Sequence, residues 1–154
     1  MNGEIAIQRC SYLELLDSPQ SEALLAEYAV ESSIAEIGPV NPSREIYAML
    51  EEKGALQCFI ARRDEQIVGF GTVLVSIVPH YSRKVATIES LFVPSACRRM
   101  GIGGMLMREI EHFARESGCE GILYSAPAGG KLERVLDTHK SYQRTNSVFY
   151  RSLN

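Results

Sequence analysis

The sequence has no stretch long and apolar enough to cross a membrane. A spanning helix needs about 18 or more apolar residues. The best run here, Ile67 to Val78, is twelve residues long, rich in β-branched types and interrupted by Gly69 and Gly71. It reads as a strand. Glu4 and Arg9 flank a short Ile5-Ala6-Ile7, so the N-terminus has no apolar centre of a secretory signal. A cytoplasmic protein without membrane contact is the default expectation.

Cysteine and histidine are sparse and badly placed for a metal. Cys10, Cys58, Cys97 and Cys119 form no C-x-x-C pair, and His80, His112 and His139 stand at no ligand spacing from them. Reduced thiols filling small buried sites are expected, with no metal. Basic charge is also lacking. A net charge of −3 and a pI near 5.7 give no general pull toward nucleic acid or an anionic surface, so no nucleic-acid partner is expected.

What is present fits one folded domain. The 154 residues are 45% hydrophobic and 23% charged, enough for a continuous core, and no repeat or linker divides them. Glu4 to Arg9 reads as a first strand. Ser18-Pro19 opens a helix in which Leu24, Leu25, Tyr28, Ala29, Ser32 and Ala35 keep helical spacing. A second helix starts at Asn41-Pro42, with Asn41 as its cap, and stops at Gly54. Strands follow over Leu56 to Arg62, Ile67 to Val78 and Val85 to Val93, the last closed by Pro94. Ile102, Met105, Leu106, Ile110 and Phe113 mark an amphipathic helix to about Gly118. Gly121 to Ala126 is predicted as a buried strand, Lys131 to His139 as a helix, and Asn146 to Leu153 as a last strand. Strands in succession, then a strand–helix–strand unit, describe an α/β domain with a mixed sheet.

The most informative segment joins the strand ending Leu91-Phe92-Val93-Pro94 to the amphipathic helix. It runs Ser95-Ala96-Cys97-Arg98-Arg99-Met100-Gly101-Ile102-Gly103-Gly104. Each glycine in a helix costs about 1 kcal/mol against alanine, so something must offset three of them. A helix start has unpaired N–H groups and a partial positive charge, and bare backbone lets an anion sit directly on them. Arg98 and Arg99 can add charge-assisted bonds to phosphate. The competing explanation is that the glycines admit a neighbouring element. A dinucleotide G-x-G-x-x-G fails because Leu106 stands at the third glycine, and no G-x-x-x-x-G-K-[ST] loop exists.

What remains is R-x-x-G-x-G, Arg98 to Gly103, after a buried strand. Here the sequence resembles the general N-acetyltransferase (GNAT) superfamily, and the element order of nearly the whole chain is similar too. The resemblance implies a GNAT-like acyl-CoA N-acyltransferase fold, α/β, with a central mixed, mostly antiparallel sheet flanked by helices. It implies acetyl-CoA as cosubstrate, pyrophosphate held by Arg98, Arg99, Met100, Gly101, Ile102, Gly103 and Gly104, and pantetheine held by the backbone of Leu91, Phe92 and Val93. It further implies direct attack by an amine on the thioester in a ternary complex, with a strand N–H as oxyanion donor and a carboxylate as base.

Glu89 is the candidate base, since a carboxylate amid Ile88, Leu91, Phe92 and Val93 needs a purpose or a partner. In simple alternation Thr87, Glu89, Leu91 and Val93 share one face, and Ile88, Ser90 and Phe92 the other. Some relatives carry the glutamate where this chain has Thr87. The tyrosine that many relatives use to protonate the leaving thiolate has no counterpart in the preferred alignment, which places Asp137 there. In a slipped register Tyr142 is that acid. Pro127-Ala128-Gly129-Gly130 replaces a common asparagine and reads either as a cofactor-facing turn or as a tight connection. Lys131 and Arg134 are further phosphate candidates, and His139 and Tyr124 lesser catalytic ones. The acceptor amine, on a small molecule or a protein, is not specified; Glu22, Glu27, Glu31 and Glu36 read either as an acidic entrance or, at least as well, as a solvated helix face. A homodimer is left open. The alternative to an enzyme is a catalytically inactive acyl-CoA-binding sensor or interaction module.

Overall fold

A computed structural model describes residues 3–154. Five strands form one sheet in the order β1 (Ile5–Cys10), β2 (Leu56–Arg63), β3 (Gln66–Val78), β4 (Arg83–Phe92) and β5 (Gly121–Leu123). The first three pairings are antiparallel, and only β4 with β5 is parallel. The mixed, mostly antiparallel sheet read from the sequence is therefore present.

Helices cover both faces. α4 (Ile102–Glu116) lays Ile102, Leu106 and Ile110 on one face, against Phe59, Val73 and Ile88. Gly69 and Gly71 on β3 permit that approach: a Cβ there would meet Ile102 Cγ2 or Ile110 Cδ1 at 3.0 Å. The other face carries α1 (Tyr12–Leu16) and α2 (Ser21–Ser32), whose Tyr12, Leu15 and Leu24 pack on Cys58, Ile60, Phe70 and Phe92. α3 (Arg44–Glu52) leans beside them, and α5 (Lys131–Thr138) follows β5.

The structure departs from the sequence reading at several boundaries. α1 is an additional short helix, started by Ser11, whose hydroxyl accepts from the Leu13 N–H at 3.2 Å. α2 begins at Ser21 and α3 at Arg44, where Ser43 rather than Asn41 supplies the cap. β5 is three residues long and largely exposed, not a buried strand through Ala126. The last strand expected over Asn146 to Leu153 does not form: that segment has no regular secondary structure and pairs with none of the five strands.

Candidate active site

The turn between β4 and α4 is held from α2. Glu27 accepts from the Ser95 N–H at 2.7 Å, which keeps its carboxyl below the usual carboxylate range. Glu31 pairs with Arg98, whose Nε also donates to the Val93 carbonyl at 3.0 Å. Two of the four glutamates read as an acidic entrance thus fasten this loop. Arg98 is half-buried and clamps the loop to the end of β4, while Arg99 is exposed and forms no ion pair among the described residues.

Gly101 caps α4 at φ +75°, a left-handed conformation that favours glycine. Gly103 and Gly104 have no such requirement. A Cβ on Gly103 would find only Val93 Cγ2 at 4.0 Å, and one on Gly104 only Arg108 Nη1 at 3.6 Å. No packed neighbour accounts for them, unlike the sheet glycines. The N–H groups of Ile102, Gly103 and Gly104 have no intrahelical acceptor, as at any helix start. Bare backbone, open space and Arg99 together fit a large anion such as a pyrophosphate.

Beside this turn the sheet opens. β5 pairs with β4 only from Val85 to Thr87, so residues 88–92 of β4 have no strand on that side. The same stretch is irregular on its β3 side. Thr72 pairs with Ser90 and Val73 with Ile88, leaving Glu89 as the extra residue of a β-bulge. The bulge overturns the simple alternation: Ile88 packs under α4, whereas Phe92 lies in the opposite core with Tyr28 and Phe70. Leu91 and Val93 are half-buried on the α4 side.

Glu89 is exposed rather than buried, and it faces a cavity of about 390 Å³ between α1, α2, α3 and the sheet. The Tyr47 hydroxyl donates to one carboxylate oxygen at 2.9 Å, and Thr72 donates to the other. Thr72 and Ser90 hydroxyls are also bonded at 2.7 Å. Tyr12 and Tyr47 stack with ring centroids 3.7 Å apart and line one wall. Burial raises the phenol pKa of both Tyr47 and Tyr28, with the Glu89 charge adding to it, so both remain protonated donors. The sequence named Glu89 but gave no signal for Tyr47 or Thr72, whose approach depends on the bulge. A larger, shallower depression of about 900 Å³ lies across α1 and the β2–β3 turn, but its Glu14 and Asp17 are paired with Arg62 and Arg44.

Tyr142 is placed elsewhere. Its hydroxyl donates to Glu111 on α4 at 2.7 Å, as does that of Tyr124 immediately after β5. The two rings meet edge to face, and His139 touches Tyr142 from the other side. Burial, then Glu111, raises the pKa of both phenols. Tyr142 does not line the Glu89 cavity. Gly129 takes φ +75° and its N–H donates to Glu133 at 3.1 Å, so the Pro127–Gly130 segment is a strand-to-helix connection that caps α5. Lys131 and Arg134 are exposed on α5.

Comparison with known proteins follows this geometry. The model of the acetyltransferase (GNAT) family matches residues 19–134. Aminoglycoside N(6')-acetyltransferase type 1 of Acinetobacter haemolyticus is 26% identical over 138 residues, covering 86% of this chain and 93% of that one. An aminoglycoside acetyltransferase from an uncultured soil metagenomic sample, solved with sisomicin, superposes with a TM-score of 0.75 at 22% identity, covering 97% of both chains. Ribosomal-protein-alanine N-acetyltransferase of Brucella melitensis biovar Abortus 2308 gives 0.69 at 20%, covering 97% of this chain and all of that one.

Proposed function

The chain belongs to the acetyltransferase (GNAT) family, and from that premise we propose that it moves an acetyl group from acetyl-CoA to a primary amine of a small molecule or protein. The observation that carries this reading is the opening between β4 and β5, which has the glycine helix start at one end and the Glu89 bulge beside it. In this proposal the cofactor pyrophosphate lies on residues 98–104, with Arg99, in no ion pair among the described residues, facing it and Arg98 holding the loop. The pantetheine arm pairs with the unoccupied edge of β4 at Leu91, Phe92 and Val93, as an added strand would.

The thioester carbonyl then comes to the bulge, where a backbone N–H released from the ladder stabilises the oxyanion. Glu89 takes the proton of the acceptor ammonium, directly or through a water. The free amine attacks, the C–N bond forms, and the C–S bond breaks to release coenzyme A thiolate, which takes the proton shed by the new amide nitrogen, directly or through water. A thiol of pKa near ~8.5 leaves without a dedicated acid. Tyr142, with its hydroxyl on Glu111, holds structure in this scheme and is not the acid.

Two of the relatives are named as N-acetyltransferases, which supports transfer to nitrogen. Replacement Glu89→Gln tests the assignment. Turnover should fall about 100-fold or more, while acetyl-CoA affinity stays unchanged. Wild-type turnover in that variant would remove Glu89 from the mechanism. Acetyl-CoA binding without product across a broad amine panel would instead favour a sensor.

A further inference from the structure

We propose that the acceptor is a small amine with one cationic centre on a compact apolar body, an arylalkylamine being the type case; this rests on the acetyl-transfer reading above. Glu89 is the only charged side chain lining the 390 Å³ cavity among the described residues. A carboxylate has about four acceptor sites. Tyr47 and Thr72 use one on each oxygen, which leaves about two, and a single carboxylate balances the charge of one ammonium.

The walls offer no second charge to a cation. They are mostly aromatic and aliphatic, with Tyr12, Tyr28, Tyr47 and Phe70 prominent, and Asn41, Ser43 and Ser90 add only neutral polar groups. Aromatic faces attract an ammonium and pack a flat or branched apolar group. A buried second ammonium without a partner is strongly unfavourable. Glu45 and Glu51, next in sequence to Ile46 and Leu50, lie outside the lining: Glu45 accepts from the Ser43 hydroxyl at 3.1 Å, and Glu51 is engaged by the Ser11 hydroxyl and the Tyr12 N–H. A volume near 390 Å³ lies at the small end of the range for small-molecule sites. The acceptor class thus differs from the polycationic sisomicin bound by the soil protein.

The test compares 2-phenylethylamine with sisomicin as acceptors, after calorimetry has established acetyl-CoA binding. Phenylethylamine should show a kcat/KM at least 100-fold higher. Tyr28→Ala should raise its KM at least tenfold with acetyl-CoA affinity unchanged. Ile46 lines the cavity and is 55% exposed, so Ile46→Glu adds a second carboxylate without opening the core. That variant should gain at least tenfold toward sisomicin. Equal or preferred use of sisomicin by the wild-type protein, or acetyl-CoA binding with no phenylethylamine turnover, overturns the acceptor class and leaves the cofactor reading standing. Failure to bind acetyl-CoA removes both.

Discussion

Glu111 receives two phenols, Tyr124 and Tyr142, each at 2.7 Å, and neither hydroxyl has a second function in the scheme above. Tyr142→Phe removes one of those bonds and leaves the other, with Arg115 still 3.9 Å from the carboxylate. The expected loss is about 1 kcal/mol of stability, read as a melting temperature lower by ~2–4 °C. Because the hydroxyl is committed to Glu111, kcat should stay within about threefold, under 1 kcal/mol of barrier. A drop of tenfold or more at unchanged acetyl-CoA affinity would make Tyr142 the acid. Glu89 is the contrasting case. Its type and place on a strand were readable, but its surroundings were not. Period-two alternation puts Ile88 and Phe92 on one face, and the extra residue at the bulge sends them to opposite cores. Nothing in Thr87-Ile88-Glu89-Ser90 announces that insertion, because a bulge is a property of two strands together.

At the scale of elements, the α4 start was the most legible feature, and its glycines can be tested against their own cost. Gly103→Ala and Gly104→Ala meet no clash, and each relieves up to about 1 kcal/mol of helix penalty. The ligand-free variants should melt higher than the wild type, and acetyl-CoA should bind them at least tenfold more weakly. Higher stability with full affinity would show that no ligand approaches this backbone. α2 contributes from its other end. The Glu27 carboxyl is held low by the Ser95 N–H, so the unfolded chain binds that proton more readily than the folded one. Its stabilisation is complete above ~4.3, the ordinary glutamate value, and is lost as pH falls through the lower folded value. Glu27→Gln should therefore lose less melting temperature than the wild type between pH 5 and pH 3, in paired thermal scans. This grip was hidden from the sequence, where Glu27 and Glu31 looked like any solvated helix face.

At the scale of the molecule, local period and punctuation were enough for the order of strands and helices, because each element's apolar stripe is written within it. The two ends of the sheet were less legible. β5 is half as long as its hydrophobic run predicts, and residues 146–153 have strand composition without a strand partner in the same chain. Pairing is decided between elements, and a single sequence records only one side of each pair. The opening created where β5 stops is the feature on which the whole reading depends, and ligand-linked melting measures it directly. Acetyl-CoA at about a hundredfold its dissociation constant adds ~2.7 kcal/mol to the folded state, which for a domain of this size is a rise of roughly 5–11 °C. Coenzyme A should give a comparable shift, because pyrophosphate and pantetheine supply the contacts and the acetyl group adds little. ATP has phosphates but no arm to pair with β4, and NAD meets Leu106 where its fingerprint wants glycine. Both should leave the melt unchanged. If ATP shifts it as far as coenzyme A does, the glycine turn binds phosphate alone and the open edge of β4 serves something other than pantetheine.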